Sequence, residues 1–171
     1  GMRPPTLGRA GGTLRDPAIF WVARFIHSKY RNHRKSLRMN LIQLTDLQPA
    51  DIHRIWSLVN MPAGAALQGT VAWSFEGNGI RTRTTFIEAF RQLGLAFTEL
   101  PNLLKTGERA CDLAGYLDPF YDLYVVRESN HARLAEFAAA SRRPVINAMS
   151  AQGHPCEVLT DAYYIDTQIK P

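Results

Sequence analysis

Four times between Thr70 and Ile165 a short apolar run gives way to a segment whose apolar residues recur at helical spacing, and nothing else in the chain restricts the fold as strongly. The runs are residues 71–75, 96–100, 122–126 and 144–149. The segments between them place Phe86, Ala89, Phe90 and Leu93 on one face, then Ala110, Leu113, Ala114 and Leu117, then Leu134, Phe137 and Ala138. A last segment from Pro155 carries Val158, Leu159, Ala162 and Ile165. An earlier helix starts at Gln48-Pro49-Ala50-Asp51, with proline at its first position, aligns Ile52, Ile55, Trp56 and Val59, and is expected to end near Pro62-Ala63-Gly64. Ser129 or Asn130 is expected to cap the helix that runs to Ala140. Strands alternating with helices predict a parallel sheet buried on both faces. The expected fold class is α/β: a three-layer, four-stranded parallel sheet with helices on both faces, in a single domain. Ligands of such sheets lie beyond the carboxyl ends of the strands. That rule gathers residues 77–83, Arg127 and His154 at one edge.

The first strand–helix junction is chemically the most pointed. The strand breaks over Gly77, Asn78 and Gly79, and the helix begins directly with Ile80-Arg81-Thr82-Arg83. The first N–H groups of a helix lack intrahelical partners and the helix dipole favours an anion there. Arginine adds planar donors that match phosphate or carboxylate. No Gly-Lys-Ser/Thr follows, so this is not a P-loop, and the glycines lack the spacing of a dinucleotide fold.

A chain of 171 residues supports one ordinary domain, and 46% apolar with 20% charged residues is the balance of a soluble globular protein. The net charge of +5 misleads. Residues 1–38 hold nine Arg or Lys against Asp16 alone, a net of +8, which leaves −3 for the rest. Charge therefore gives no reason to expect nucleic-acid binding by the body. The apolar run at residues 19–26 is too short to span a bilayer. We divide the chain into a poorly ordered or briefly helical basic leader, residues 1–38, and a domain, residues 39–171. Gly1 ahead of Met2 has the form of a residue left by tag removal, and the leader reads as extra sequence before a start at Met39. A membrane-surface helix, a transit-like leader and a partner-docking arm are the alternatives. Cys111 and Cys156 are too few and too distant for a disulfide framework or a zinc site. Reduced thiols in the cytoplasm, no metal and no other cofactor are expected.

The motifs together resemble a known family. Phe75-Glu76, followed by Arg81-Thr82-Arg83 and Phe86, is similar to the Ser-Thr-Arg-Thr-Arg phosphate motif of the aspartate/ornithine carbamoyltransferases. Four more features follow in family order: Lys105-Thr106-Gly107-Glu108 with Asp112; a strand ending in Arg127; Pro144-Val145-Ile146-Asn147-Ala148; and His154-Pro155-Cys156-Glu157 with Leu159 and Asp161. The resemblance spans about residues 40–166, and the cysteine after His154-Pro155 tilts it to the ornithine type.

The resemblance implies a domain that binds carbamoyl phosphate, within a cytoplasmic, trimeric transferase of arginine biosynthesis that passes the carbamoyl group to an amino-acid amine. It implies that Arg81, Thr82 and the helix N–H groups hold the phosphate, with Gly79 and Ile80 at the same turn. It further implies that Thr82, Arg127 and His154 polarise the carbonyl and that Glu157 meets the carbamoyl NH2. Plainer readings remain open. Arg83 can pair with an acid on the neighbouring helix, Arg127 can be a surface charge and His154 a helix cap. Cys156 reads as a packing residue, and Glu108 and Asp112 as first-turn helix acids. Three positions depart from the family. Gly79 and Ile80 replace its Ser and Thr, and Glu157 replaces its Gln. An ionised Glu157 about 6 Å from a phosphate, at an effective dielectric of about 20, opposes it by roughly 3 kcal/mol per unit charge. Glu157→Gln and Gly79→Ser are therefore expected to tighten binding. Lys105 lies one residue before the position, Thr106, where the aspartate branch has a lysine that reaches a neighbouring subunit. The family's second, amino-acid-binding domain is expected to be absent, exposing a face around Tyr163, Tyr164 and Ile165. The chain is then either an incomplete carbamoyltransferase or a non-catalytic module that binds a small phosphate or carboxylate anion weakly, or docks onto a full-length relative.

Overall fold

In the computed structural model, residues 40–59 and 67–169 are described. The leader and the stop signal at Pro62-Ala63-Gly64 lie outside them. The first helix, α1 (Pro49–Ser57), begins as expected with proline at its first turn, and Gln48 and Asp51 cap each other reciprocally. It is shorter than its apolar pattern: of that face only Ile55 is buried, while Ile52, Trp56 and Val59 are partly covered.

The strand β1 (Thr70–Phe75) is followed by α2 (Ile80–Leu93), which ends on Gly94 at φ 72°. That left-handed value is one glycine adopts without a Cβ penalty, and the Gly94 N–H returns to the helix's last carbonyls. Next come β2 (Ala96–Glu99), a 3-10 turn at Leu103–Lys105 and α3 (Ala110–Leu117). Then β3 (Leu123–Arg127) and α4 (His131–Ala140), whose cap is Asn130 accepting from the Arg133 N–H, lead to β4 (Val145–Asn147). The helix α5 (Pro155–Tyr164) runs into a π turn at Ile165–Ile169.

The four strands are all parallel, in the order β2-β1-β3-β4. Alternation along the strands splits the core in two. Val71, Trp73, Phe75, Val125 and Ile146 pack with α1, α2 and α5 on one face. Ala72, Tyr124, Val126 and Val145 pack with α3 and α4 on the other. The expected three-layer α/β domain is thus the observed one. Two details differ. β2 is exposed along its whole length, because an edge strand has one neighbour and little helix above it. β4 stops at Asn147 rather than Met149, because the Asn147 side chain accepts the Met149 N–H at 2.9 Å and turns the chain out of the sheet.

Beyond β4, Leu41 adds a single parallel bridge to Ile146, donating to the Val145 carbonyl at 2.9 Å and accepting from the Asn147 N–H at 2.8 Å. Asn40 reinforces this strap by accepting from the Val145 N–H at 3.0 Å.

Candidate functional site

A cleft of about 920 Å³ opens at the carboxyl ends of β1, β3 and β4. It is within the usual range of small-molecule sites. Every site residue expected from the sequence lines it: Gly79, Ile80, Arg81 and Thr82 from the start of α2, Arg127 from the end of β3, and His154 and Glu157 from the start of α5. Asn78, Thr84, Thr85, Met149, Thr160 and Asp161 complete the wall and were not assigned a role from sequence. Thr84, Thr85 and Thr160 do carry a usable signal, since each stands one helical turn from an assigned residue.

The sequence builds the floor of this cleft locally. No side chain caps α2, whose N-cap residue is Gly79, so the N–H groups of its first turn face the cleft. Arg127 leaves β3 and lays its guanidinium over the Phe75 ring, 4.9 Å from the centroid, while Arg83 packs on the same ring at 5.3 Å. Among the described residues, no carboxylate or carbonyl accepts from the Arg81 or Arg127 guanidinium. Arg83 does not line the cleft: it pairs with Glu99 at 2.8 Å, an acid on the neighbouring strand β2 rather than on a helix. Ile80 is 73% exposed at the mouth.

His154 is delivered by a tight loop. The buried Asn147 donates to the Ile42 carbonyl at 2.8 Å and to Ser150 Oγ at 3.1 Å, and Ser150 exchanges backbone bonds with Gly153. Met149 is driven to φ 130° by this arrangement, a conformation that costs an L-residue about 1–3 kcal/mol. His154 is mostly buried, with Nε2 3.8 Å from the Glu157 carboxylate and Nδ1 buried without a hydrogen-bond partner among the described residues. Burial lowers its pKa, the Glu157 carboxylate raises it, and Arg127 lowers it further; the net direction is down, so the imidazole is neutral at pH 7. Cys156 is buried beneath, its Sγ 3.8 Å from the Asn147 carbonyl, as a packing residue.

Behind the cleft lies a polar clasp. Lys105 donates to the buried Glu128 at 2.6 Å and lies 3.2 Å from Glu76. Glu76 in turn accepts from the Ser129 N–H at 2.6 Å and from Ser129 Oγ at 3.1 Å. The backbone of Arg127 is held in the same knot, since its carbonyl accepts from the Glu76 N–H at 3.1 Å. Glu76 is held below the usual carboxylate range, first by the Ser129 N–H, then by its hydroxyl, and by Lys105. The Lys105 amine is raised, mainly by its hydrogen bond to Glu128. Lys105 is therefore engaged within its own chain. Asp112 pairs with Arg109 at 2.7 Å at the start of α3, in keeping with a first-turn helix acid.

A Cβ at position 79 would stand 2.1 Å from Arg127 Nη1 and 3.0 Å from Phe75 Cε1. Gly79→Ser therefore requires the Arg127 guanidinium, the free end of a flexible side chain, to shift.

Among the described residues, no helix is long and apolar enough to cross a membrane, and no His/Cys/Asp/Glu group has the form of a metal site.

Fold and cleft together define a parallel α/β domain in which Arg81, at an uncapped helix start, and Arg127, at the end of β3, have no acceptor among the described residues. Residues 39–167 match the family model "Aspartate/ornithine carbamoyltransferase, carbamoyl-P binding domain", and the chain belongs to that family. The ornithine carbamoyltransferase of Chromohalobacter salexigens is 33% identical over 135 residues, covering 71% of this chain and 44% of that protein. The solved structure of the anabolic ornithine carbamoyltransferase from Campylobacter jejuni superposes with a TM-score of 0.68 at 32% identity, over 77% of this chain and 46% of that one. That of the Pyrococcus furiosus ornithine carbamoyltransferase does so with a TM-score of 0.64 at 28% identity, over 75% and 45%. The chain spans less than half the length of these relatives.

Proposed function

We propose that the cleft binds carbamoyl phosphate and presents it for transfer of the carbamoyl group to an amino-acid amine such as that of ornithine. The observation that carries this reading is the pair of guanidinium groups, Arg81 and Arg127, which line the cleft beside the open N-terminus of α2 without acceptors among the described residues. In this assignment the phosphate sits on the first turn of α2, held by its N–H groups, Arg81 and the Thr82 hydroxyl, with Gly79 and Ile80 at its edge. The carbonyl oxygen points to Thr82, Arg127 and His154. The amine lone pair attacks the carbonyl carbon, negative charge builds on that oxygen, and the C–O bond to phosphate breaks as the tetrahedral species collapses, the departing phosphate taking the proton that the amine gives up. Donors fixed where that charge develops lower the barrier most. A neutral His154 serves as a hydrogen-bond donor without adding a charge, and Glu157 accepts from the carbamoyl NH2.

The amine needs a binding surface of its own, which we place outside this cleft's residues, in further sequence or a partner chain. We expect a cytoplasmic protein assembled as a trimer through this domain, in arginine biosynthesis. The domain division at residue 39 belongs to the same proposal. A second reading, a module that binds an anion without catalysis, is favoured by one observation: the Glu157 carboxylate stands in the wall that must accept a phosphate dianion.

Calorimetric titration with carbamoyl phosphate tests the first claim, and absence of heat and of any thermal shift at millimolar ligand would refute it. Citrulline formation from ornithine, measured alone and with a separately supplied amino-acid-binding domain, then separates the two readings. Binding without citrulline under both conditions favours the non-catalytic module.

A further inference from the structure

Histidines that offer one ring nitrogen to a ligand commonly have the other tied to a carboxylate or a backbone carbonyl, which fixes the ring. His154 has no such tie. Its Nδ1 is buried with no hydrogen-bond partner among the described residues, and the Glu157 carboxylate is 3.8 Å from Nε2, beyond hydrogen-bond reach. Nor is the residue wedged between packed side chains. It lines the main cleft and, alone among that cleft's lining residues, also lines a second cavity of about 170 Å³ bounded by Ile42, Leu44, His131, Gly153 and Val158. With open space on two sides, the ring goes where the loop before it, residues 148–153, takes it.

That loop is stitched to the end of β3, where the Glu128 N–H donates to the Met149 carbonyl at 3.1 Å and the Ala151 N–H to the Ser129 carbonyl at 3.2 Å. Its turn closes through backbone bonds of 2.9 and 3.3 Å between Ser150 and Gly153. Met149, at φ 130°, keeps a conformation that persists only where its neighbours hold it. The Ser150 hydroxyl is the hub. It is 6% exposed, accepts from Asn147 Nδ2 at 3.1 Å, and lies 2.8 Å from His131 Nδ1 against 3.4 Å from the Gly153 carbonyl. A hydroxyl has one proton to give, and the nearer acceptor is Nδ1 of His131. His131 opens α4, a helix that contributes no residue to the cleft.

We propose that His131 is a positioning residue for His154: through the Ser150 hydroxyl it braces the loop against α4 and keeps the imidazole forward in the cleft. The brace is a property of the free protein, while its effect on a ligand rests on the carbamoyl-phosphate reading. Without it, the small cavity behind the loop is room into which the loop can retreat.

The test uses the full chain with 15N-labelled histidine. The His154 ring resonances, assigned by their loss in His154→Asn, are followed through a pH titration without ligand. In His131→Ala the ring leaves its buried seat, so its pKa should rise towards the ordinary 6.5. Glu157 and Arg127, the charged groups that bear on the ring, are unchanged in that variant. Ser150→Ala cuts the same bond from the other side and should act alike. His131→Asn, whose side-chain amide stands close to the place of Nδ1, should restore the wild-type titration, which a general loss of stability would not allow. Carbamoyl phosphate binding should weaken about fivefold or more in His131→Ala and Ser150→Ala, the scale of one hydrogen bond, and recover in His131→Asn. In a His154→Asn background, His131→Ala should change affinity less than about twofold, since coupled residues are non-additive. An unmoved His154 titration in His131→Ala and Ser150→Ala overturns the proposal. So does a shift that His131→Asn leaves in place, an equal loss of affinity in both backgrounds, or failure of both alanine variants to fold. A wild-type chain that binds neither carbamoyl phosphate nor inorganic phosphate refutes the function assigned to the cleft, and the ring titration alone then decides whether His131 braces His154.

Discussion

His154 is the titratable side chain on which the chemistry of the cleft turns most directly. Burial holds its pKa below the ordinary 6.5, so between those two values the folded chain binds fewer protons than the unfolded one. Stability therefore rises with pH across that window and is lost as pH falls from 6.5 through the folded value. Urea unfolding at a series of pH values should show this slope in the wild type and its reduction in His154→Asn. An unchanged slope would mean that other groups set it. Glu157 is the second residue to probe. Its side chain is 63% exposed, so solvent screens its repulsion of a phosphate well below the roughly 3 kcal/mol per unit charge expected from distance alone. Glu157→Gln should tighten carbamoyl phosphate about three- to tenfold by calorimetry, corresponding to about 0.7–1.4 kcal/mol. No change would remove the carboxylate as an obstacle. At this scale the sequence was informative about place: Arg81, Thr82, Arg127 and His154, singled out by residue type and position, line one cleft. It did not show that Arg127 Nη1 lies where a Cβ of residue 79 would stand, because the two residues meet only through the fold.

At the scale of elements, the carboxyl ends of β1 and β3 are tied to the turn after β2 by Glu76, Lys105, Glu128 and Ser129. Glu128 is 3% exposed and accepts from both Lys105 and the Asn130 N–H, so removing the lysine leaves a buried carboxylate with half its partners. Lys105→Met should cost about 2 kcal/mol in denaturant unfolding at pH 7, the scale of a hydrogen bond to a charged group. A change below about 0.5 kcal/mol would assign the clasp no energetic role. The lysine's raised pKa gives the complementary sign: its contribution persists below 10.5 and is lost as pH rises through the folded value. None of this was legible from spacing, since the partners lie 23 and 53 residues apart and meet only because β1 and β3 are adjacent. The strands and helices themselves were legible because their periodicities are local. Their ends were less so: α1 and β4 both stop short of their apolar patterns, β4 because of an asparagine side chain that binds its own backbone two residues on.

At the scale of the whole molecule, the face near the end of α5 is only half covered. Tyr163 stacks edge-on against Trp56, 5.9 Å between ring centroids, whereas Tyr164, Ile165 and Ile169 remain more than half exposed. The sequence anticipated this face at residues 163–165; the structure exposes Tyr164 and Ile165, covers Tyr163 in part, and extends the face to Ile169. Light scattering of the full chain should give a trimer. A monomer across the accessible concentration range would count against both the assembly and any site shared between copies. The strap at Asn40 and Leu41 has a further consequence, for the order of folding. It joins residues about 105 apart in sequence onto a strand only three residues long. Closing so large a chain segment is entropically costly and repaid only once β1 and β3 are paired. The strap is therefore a late, low-φ contact. Weakening it, as in Asn40→Ala, should accelerate unfolding and leave the refolding rate nearly untouched, making the outer edge of β4 the place from which the domain opens.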